Sequence, residues 1–213
     1  RESEQLVEPQ VHRLTFRRGE VRSARFSPDG ETIVYSAAWD GRRSAAYTRR
    51  LDSPDAPARK VQDGTLVAVA GGEMAVILLD GTLARVPLGG GPVREIAREV
   101  AAADWGGDDD LAIVRRVDGR AQFEWPLGRV VYRAPGVGGL FSPRLSPARD
   151  AVAMLEAAQA PFFTRVVRID RSGRTKARTR TGLVARGLAW SPDSREIWFN
   201  GGDHEWAGEV RAV

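Results

Sequence analysis

Residues 24–35 read Ala-Arg-Phe-Ser-Pro-Asp-Gly-Glu-Thr-Ile-Val-Tyr, and this stretch decides the fold. An apolar residue, Phe26, precedes a Ser-Pro-Asp-Gly segment, and β-branched and aromatic residues follow it. In such a segment proline fixes φ, aspartate accepts backbone N–H groups and glycine tolerates positive φ, so a tight turn forms. The residues after the turn have the composition of a strand. The stretch therefore predicts two strands joined by a tight turn.

The same pattern of anchor, turn and strand returns four more times along the chain. Successive anchors lie 36 to 45 residues apart. The anchors are Phe26, Val69, Trp105, Leu145 and Trp190. Each interval has room for four short strands with polar or glycine-containing turns between them. Self-similarity at this period, in an all-strand pattern, is typical of a β-propeller with one four-stranded blade per repeat.

We therefore predict an all-β fold, a β-propeller of four-stranded antiparallel blades with about five blades in this chain. Residues 1–213 form a single domain, and the blades cover roughly residues 21–63, 64–98, 99–136, 137–181 and 182–213. Residues 11–16 alternate like an outer strand. They either close the last blade, for which the sequence supplies three strands, or belong to a preceding blade. In the second case an open arc exposes apolar flank positions, and we expect it to self-associate.

Composition and charge limit the classes of function. The net charge is +4, but the basic residues are spread over all repeats and balanced by 28 acids, so we do not expect a nucleic-acid partner. No apolar run approaches the roughly 20 residues of a membrane span. The absence of cysteine excludes disulfides and thiol chemistry. Because the chain begins without an initiator Met or a signal-peptide core, we expect a piece of a longer protein.

The recurring Ser-Pro-Asp-Gly turn, with Ala-Trp or Ala-Arg-Phe before it, resembles the TolB-like, WD-repeat-like propellers of bacteria. Residues 13–19, which lead into residues 24–41, and residues 81–91 resemble the propeller that follows the kinase domain in bacterial serine/threonine protein kinases. The chain departs from the pattern at residues 106–108 and 148–149, where the Pro or Asp-Gly elements are missing.

This resemblance implies a non-catalytic sensing or docking module of a larger bacterial signalling protein. The chain itself carries no glycine-rich loop over phosphates, no His-Arg-Asp and no Asp-Phe-Gly, so no kinase chemistry is expected in it. The resemblance is compatible with a cytoplasmic or an extracytoplasmic location, depending on the parent protein.

Candidate binding residues fall in the loops between the second and third strands of three blades. In a propeller these loops share one face with the loops between blades, and such loop faces carry binding sites. Exposed aromatic and charged residues are typical of interaction surfaces. Alternatively, the aromatic rings fold back over the blade tops. The candidates are Trp39, Asp40, Arg42, Arg43, Phe162, Asp203, His204 and Trp206.

No catalytic, metal or cofactor site is expected. The two histidines, His12 and His204, lack a third ligand or a nucleophile at a recognisable spacing. The three adjacent aspartates at 108–110 do not have the alternating spacing of a calcium loop. The sequence thus favours a non-catalytic interaction module that binds a protein or a small ligand through one loop face. The alternative is a propeller-fold hydrolase or lyase with its site at the channel mouth.

Overall fold

A computed structural model describes residues 13–53, 56–107, 110–135, 138–157, 164–179, 184–202 and 209–212. All regular structure in these ranges is β-strand, arranged in antiparallel sheets whose strands follow chain order. The described ranges contain no helix that could cross a membrane.

Nineteen strands form five sheets, one after another along the chain. The first sheet contains β1 (Gly19–Phe26), β2 (Thr32–Trp39), β3 (Ala45–Arg50) and β4 (Arg59–Asp63). The second contains β5 (Thr65–Ala70), β6 (Glu73–Ile77), β7 (Leu83–Pro87) and β8 (Arg94–Ala97). The third contains β9 (Val100–Trp105), β10 (Leu111–Val117), β11 (Arg120–Glu124) and β12 (Val130–Arg133). The fourth contains β13 (Leu140–Leu145), β14 (Ala151–Ala157), β15 (Thr164–Asp170) and β16 (Thr175–Arg178). The fifth contains β17 (Val184–Trp190), β18 (Ile197–Gly202) and β19 (Glu209–Ala212).

The predicted all-β propeller of four-stranded antiparallel blades is confirmed, but the blade number is corrected. Four sheets are complete four-stranded blades, not about five, because the fifth sheet has three strands in the described residues. Residues 13–16, expected at the end of an outer strand, form no strand. They lie against the first sheet, where an Arg49 guanidinium nitrogen donates to the carbonyl oxygen of Leu14. Residues 11 and 12 lie outside the described ranges.

The sheets stack face to face in chain order. We call the face that bears the anchor and packs on the preceding sheet the front face, and the opposite one the back face. In the third sheet Trp105 pairs with Leu111 on the front face, whereas Asp104 pairs with Ala112 on the back face. The innermost strands β1, β5, β9, β13 and β17 pack against one another in that order. The core therefore lies between successive sheets.

A buried serine closes three of the turns between first and second strands. The hydroxyl of Ser27 accepts a hydrogen bond from the Thr32 amide at 2.9 Å, while the Ser27 amide donates to the Thr32 carbonyl at 2.8 Å. Ser146 and Ser191 make the same pair of contacts in the fourth and fifth sheets. In all three sheets the hydroxyl also donates to an aspartate of the turn. Each serine thereby satisfies backbone groups that burial would otherwise leave unpaired.

The third sheet closes its first turn without a serine, by a hydrogen bond of 2.9 Å from the Gly106 amide to the Asp110 carbonyl oxygen. Gly106 stands at the serine position, and a Cβ there would lie 2.9 Å from Oδ2 of Asp110. The other oxygen of Asp110 accepts from the Trp125 indole at 2.8 Å and from Arg171 of the fourth sheet at 3.0 Å. The Arg171 guanidinium also lies 4.0 Å from the centroid of the Trp125 ring. The Asp110 carboxylate therefore connects the third sheet to the fourth.

Within the described residues, the first and last sheets each leave part of one apolar face open. On the front face of the first sheet Phe26 is 64% exposed, although its equivalent Trp105 is buried by the second sheet. A groove of about 210 Å³ on that face is lined by Leu14, Thr15, Val21, Ala24, Ile33, Tyr35 and Arg49. On the back face of the fifth sheet Trp198 is 42% exposed and Val210 is 78% exposed. Both faces have the composition of surfaces that pack against another sheet.

These open faces predict that the isolated chain self-associates. Because a back face packs on a front face throughout the stack, the fifth sheet of one copy can cover the first sheet of another. We expect Phe26→Ser and Trp198→Ser each to shift the distribution toward monomer in analytical ultracentrifugation. Val117→Ser, which removes a comparably exposed apolar side chain at a hairpin end, serves as the control. A wild-type chain that stays monomeric at all concentrations would contradict this prediction.

The turn aspartates predict a dependence of stability on pH. The Ser27 hydroxyl, and then the Glu31 amide, lower the pKa of Asp29, and the Ser191 hydroxyl and the Arg195 amide lower the pKa of Asp193. A carboxylate whose pKa is lowered by folding stabilises the fold above its unfolded pKa, and this contribution is lost as the pH falls. We expect the free energy of unfolding to decrease below about pH 4.

The double variant Asp29→Asn/Asp193→Asn should be less stable at neutral pH and should lose less stability on acidification. Urea titrations across the acid range measure both effects. Asp118→Asn, at an exposed hairpin turn, is the matched control. An unchanged pH profile in the double variant would show that these two aspartates do not carry the effect.

Candidate functional site

A cavity of about 410 Å³ opens where the innermost strands of the third, fourth and fifth sheets end. This position is the side of the propeller that carries the turns between first and second strands. The cavity therefore lies opposite the face on which the sequence placed the binding loops. Its lining residues are Asp104, Trp105, Gly106, Arg144, Leu145, Ser146, Pro147, Arg149 and Trp190.

The charged lining follows from one position in the repeat. The residue immediately before each anchor points to the back face of its sheet, because side chains alternate along a strand. In chain order these residues are Arg25, Ala68, Asp104, Arg144 and Ala189. Three of the five repeats thus direct a charged side chain from an innermost strand toward the next innermost strand.

Contacts between adjacent innermost strands hold these side chains in place. Oδ2 of Asp104 accepts a hydrogen bond of 2.8 Å from the amide of Leu145 in the next sheet. Arg25 donates to the carbonyl oxygens of Ala24 at 2.7 Å and of Val67, in the second sheet, at 3.4 Å. The carbonyl oxygen of Arg144 accepts from the Trp190 indole at 2.8 Å. The side chains of Asp104 and Arg25 and the main chain of Arg144 are therefore part of the packing between sheets.

The electrostatic environment shifts the pKa values of Asp104 and Arg25. Asp104 keeps some contact with solvent, but the surrounding protein atoms raise its pKa, against the opposing effects of Arg144, the Leu145 amide and Arg25. Burial lowers the pKa of Arg25 to about 10, and repulsion by Arg144 adds to this effect. Both shifts show that charge in this region is poorly solvated.

The structure answers the question of exposure for Trp39. It is 3% exposed, and its ring packs edge-on against Tyr35 with ring centroids 6.4 Å apart. The Arg17 guanidinium lies 5.6 Å from the Trp39 ring centroid and pairs with Asp40 at 2.5 Å. The alternative in which the aromatic ring folds over its blade therefore holds for this residue.

The other candidate loop residues are only partly described. Asp40, Arg42 and Arg43 are exposed beside Trp39, in the turn after β2. Phe162, Asp203, His204 and Trp206 lie outside the described residues, and so does His12. A role for the loop face in binding stays a prediction.

Sequence reasoning missed Arg25, Asp104 and Arg144. Each stands next to an anchor that we identified, so the signal was present in the repeat alignment. Strand alternation could have identified the residue before the anchor as the one directed toward the next innermost strand. The described residues hold no group of three or more His, Cys, Asp or Glu side chains placed to bind a metal ion.

Comparison with solved structures identifies the fold. A putative TolB from Agrobacterium tumefaciens superposes with a TM-score of 0.63 at 15% identity, over 91% of this chain and 80% of that chain. An oligogalacturonate lyase in complex with manganese gives 0.62 at 16% identity, over 94% and 64%. A chain of the mitotic checkpoint complex gives 0.62 at 13% identity, over 93% and 68%.

No family model matches the chain, and no curated protein matches it by sequence. The chain spans 64% of the length of the lyase, which contains further residues. At these identities the likeness shows the fold alone, a TolB-like β-propeller.

The burial of Trp39 predicts a loss of stability on truncation. We expect Trp39→Ala to lower the free energy of unfolding by about 3 kcal/mol, because a large buried aromatic side chain leaves a cavity. Chemical denaturation measures this change. Arg42→Ala, three residues away and exposed, should leave the stability unchanged. A Trp39→Ala variant as stable as the wild type would argue against the packing described here.

Proposed function

We propose that this chain is a non-catalytic interaction or sensor module that binds its ligand in the cavity between the third, fourth and fifth sheets. The observation that supports this proposal most is the cluster of charged side chains at the ends of innermost strands, beside an open cavity of about 410 Å³. Concave sites with a few placed polar groups are the usual locations of ligand binding. The arginines and indole rings of the lining suit recognition more than proton transfer.

The parent of this module, we propose, is a larger bacterial signalling protein such as a serine/threonine kinase. The support is the resemblance of residues 13–19, 24–41 and 81–91 to kinase-attached propellers. In such an architecture, ligand binding by the propeller would be reported to the attached domain.

A thermal-shift screen of common metabolites tests the proposed cavity. We expect at least one compound to raise the melting temperature of the wild type but not of Arg149→Glu, because Arg149 lines the cavity. The double variant Arg42→Glu/Arg43→Glu, on the opposite face, should respond like the wild type. If this double variant loses the response and Arg149→Glu keeps it, the loop face is the site and the cavity proposal is wrong.

A hydrolase or lyase is the second candidate, and Asp104 is the observation that favours it. A carboxyl group with a raised pKa beside a cavity is what general acid–base catalysis requires. Against this, one of its oxygens is held by the Leu145 amide. Cleavage of oligogalacturonate by the wild type, lost in Asp104→Asn, would favour this candidate over an interaction module.

A further inference from the structure

Arg25 and Arg144 differ in their partners from three other arginines of the chain, Arg115, Arg165 and Arg171. Arg115 pairs with Glu124 at 2.9 Å, Arg171 pairs with Asp110 at 3.0 Å, and Arg165 pairs with the fully buried Glu156. Each of these guanidinium groups therefore has a carboxylate within ion-pair distance. Such pairing is the rule for buried charge, because an unpaired charge loses its hydration without compensation.

Within the described residues, Arg25 and Arg144 have hydrogen-bond partners that are backbone carbonyl oxygens. Arg25 donates to Ala24 and Val67, and Arg144 donates to Pro143 at 2.6 Å. Both side chains are half-buried. The nearby carboxylate is Asp104, which attracts both arginines but is tied to the Leu145 amide and forms no ion pair within 4 Å with either.

Charge in this region is consequently unbalanced. Arg25 and Arg144 contribute two positive charges against the single negative charge of Asp104, which attracts both, and the two arginines repel each other. A guanidinium carries five N–H donors, and the backbone carbonyls occupy only a minority of them. Arg144 lines the open cavity, where an external acceptor can reach its remaining donors. Arg25 does not line the cavity but lies near enough to Arg144 for the two charges to interact.

We propose that Arg25 and Arg144 form an oxyanion-binding site, filled by the carboxylate or phosphate group of a small ligand seated in the cavity. This inference rests on the proposed function and names its ligand class. An oxyanion supplies several acceptors to each guanidinium fork and separates the two like charges. The half-buried Trp190 lines the same cavity, so the uncharged part of the ligand lies against this residue.

Titration with inorganic phosphate and with succinate tests the site and distinguishes the two anion classes. Ionic strength is held constant with sodium chloride, and binding is followed by the indole N–H resonance of Trp190, whose donor bonds the Arg144 carbonyl. We expect saturable binding of at least one anion at millimolar concentrations. Phosphate alone indicates a phosphorylated ligand, and succinate alone indicates a carboxylic acid.

Substitutions that remove a positive charge and one that removes a negative charge should change anion affinity in opposite directions. This difference distinguishes a binding role from a structural one. Arg25→Gln and Arg144→Gln should each weaken the binding about tenfold or more, because each removes a charge-assisted bond. Asp104→Asn should strengthen it roughly threefold or more, because it removes the negative charge while its amide oxygen still accepts from Leu145. Arg98→Gln, a mostly exposed arginine remote from the cavity, should change nothing.

Stability provides a second readout, because a variant that fails to fold would otherwise obscure the result. Without an anion, the two arginine-to-glutamine variants should melt at or above the wild-type temperature, since each relieves repulsion and burial of charge. Arg144→Lys should bind with intermediate affinity, because it keeps the charge but loses the fork.

The inference is overturned if neither anion saturates the Trp190 signal, or if Arg98→Gln weakens binding as much as Arg144→Gln. It is also overturned if Asp104→Asn weakens binding. If no anion binds but the metabolite screen finds a compound sensitive to Arg149→Glu, the ligand class is wrong and the interaction module remains. If anions bind and the screen finds no such compound, the oxyanion site stands and the cavity is not the site of a larger ligand.

Discussion

A serine hydroxyl that binds the backbone of the following strand is the contact on which the rest of the structure depends. A buried serine closes the turn between the first and second strands of three sheets. These serines are Ser27, Ser146 and Ser191. The turn sets the register of the second strand against the first. That register decides which residues form the front and back faces. Stacking of sheets, and with it the placement of charged side chains at the ends of the innermost strands, follows from this local geometry.

The sequence predicts the strands well because turn chemistry and strand alternation are local properties. The turn of residues 27–30 and the β-branched residues after it are sufficient to place β1 and β2. The third sheet shows the limit of this reasoning. The Pro or Asp-Gly elements are missing there, yet the Gly106 amide still bonds the Asp110 carbonyl oxygen. The Asp110 side chain contacts Trp125 and Arg171, which are distant in sequence. No local pattern contains those contacts.

The candidate site was harder to predict for the same reason. Trp39 looks like a loop residue in sequence, but three neighbours on its own sheet and the segment before β1 bury it. Arg25, Asp104 and Arg144 look like ordinary strand charges, because their common environment exists only when successive sheets stack. The side of the propeller with the cavity is likewise a property of packing between repeats. The amino-acid composition of the loops alone does not show which side of the propeller carries the candidate site.

The stacking order also determines how cooperative this molecule is. Packing between sheets runs from each sheet to the next, so the free energy of folding is a sum of sheet terms and nearest-neighbour terms, as in a one-dimensional lattice. Among the described residues, an inner sheet is held on both faces, whereas the first and fifth are held on one. Amide hydrogen exchange in such a system is fastest at the two ends and slowest in the middle. The third sheet, which Asp110 and Arg171 join to the fourth, is the natural centre of that gradient.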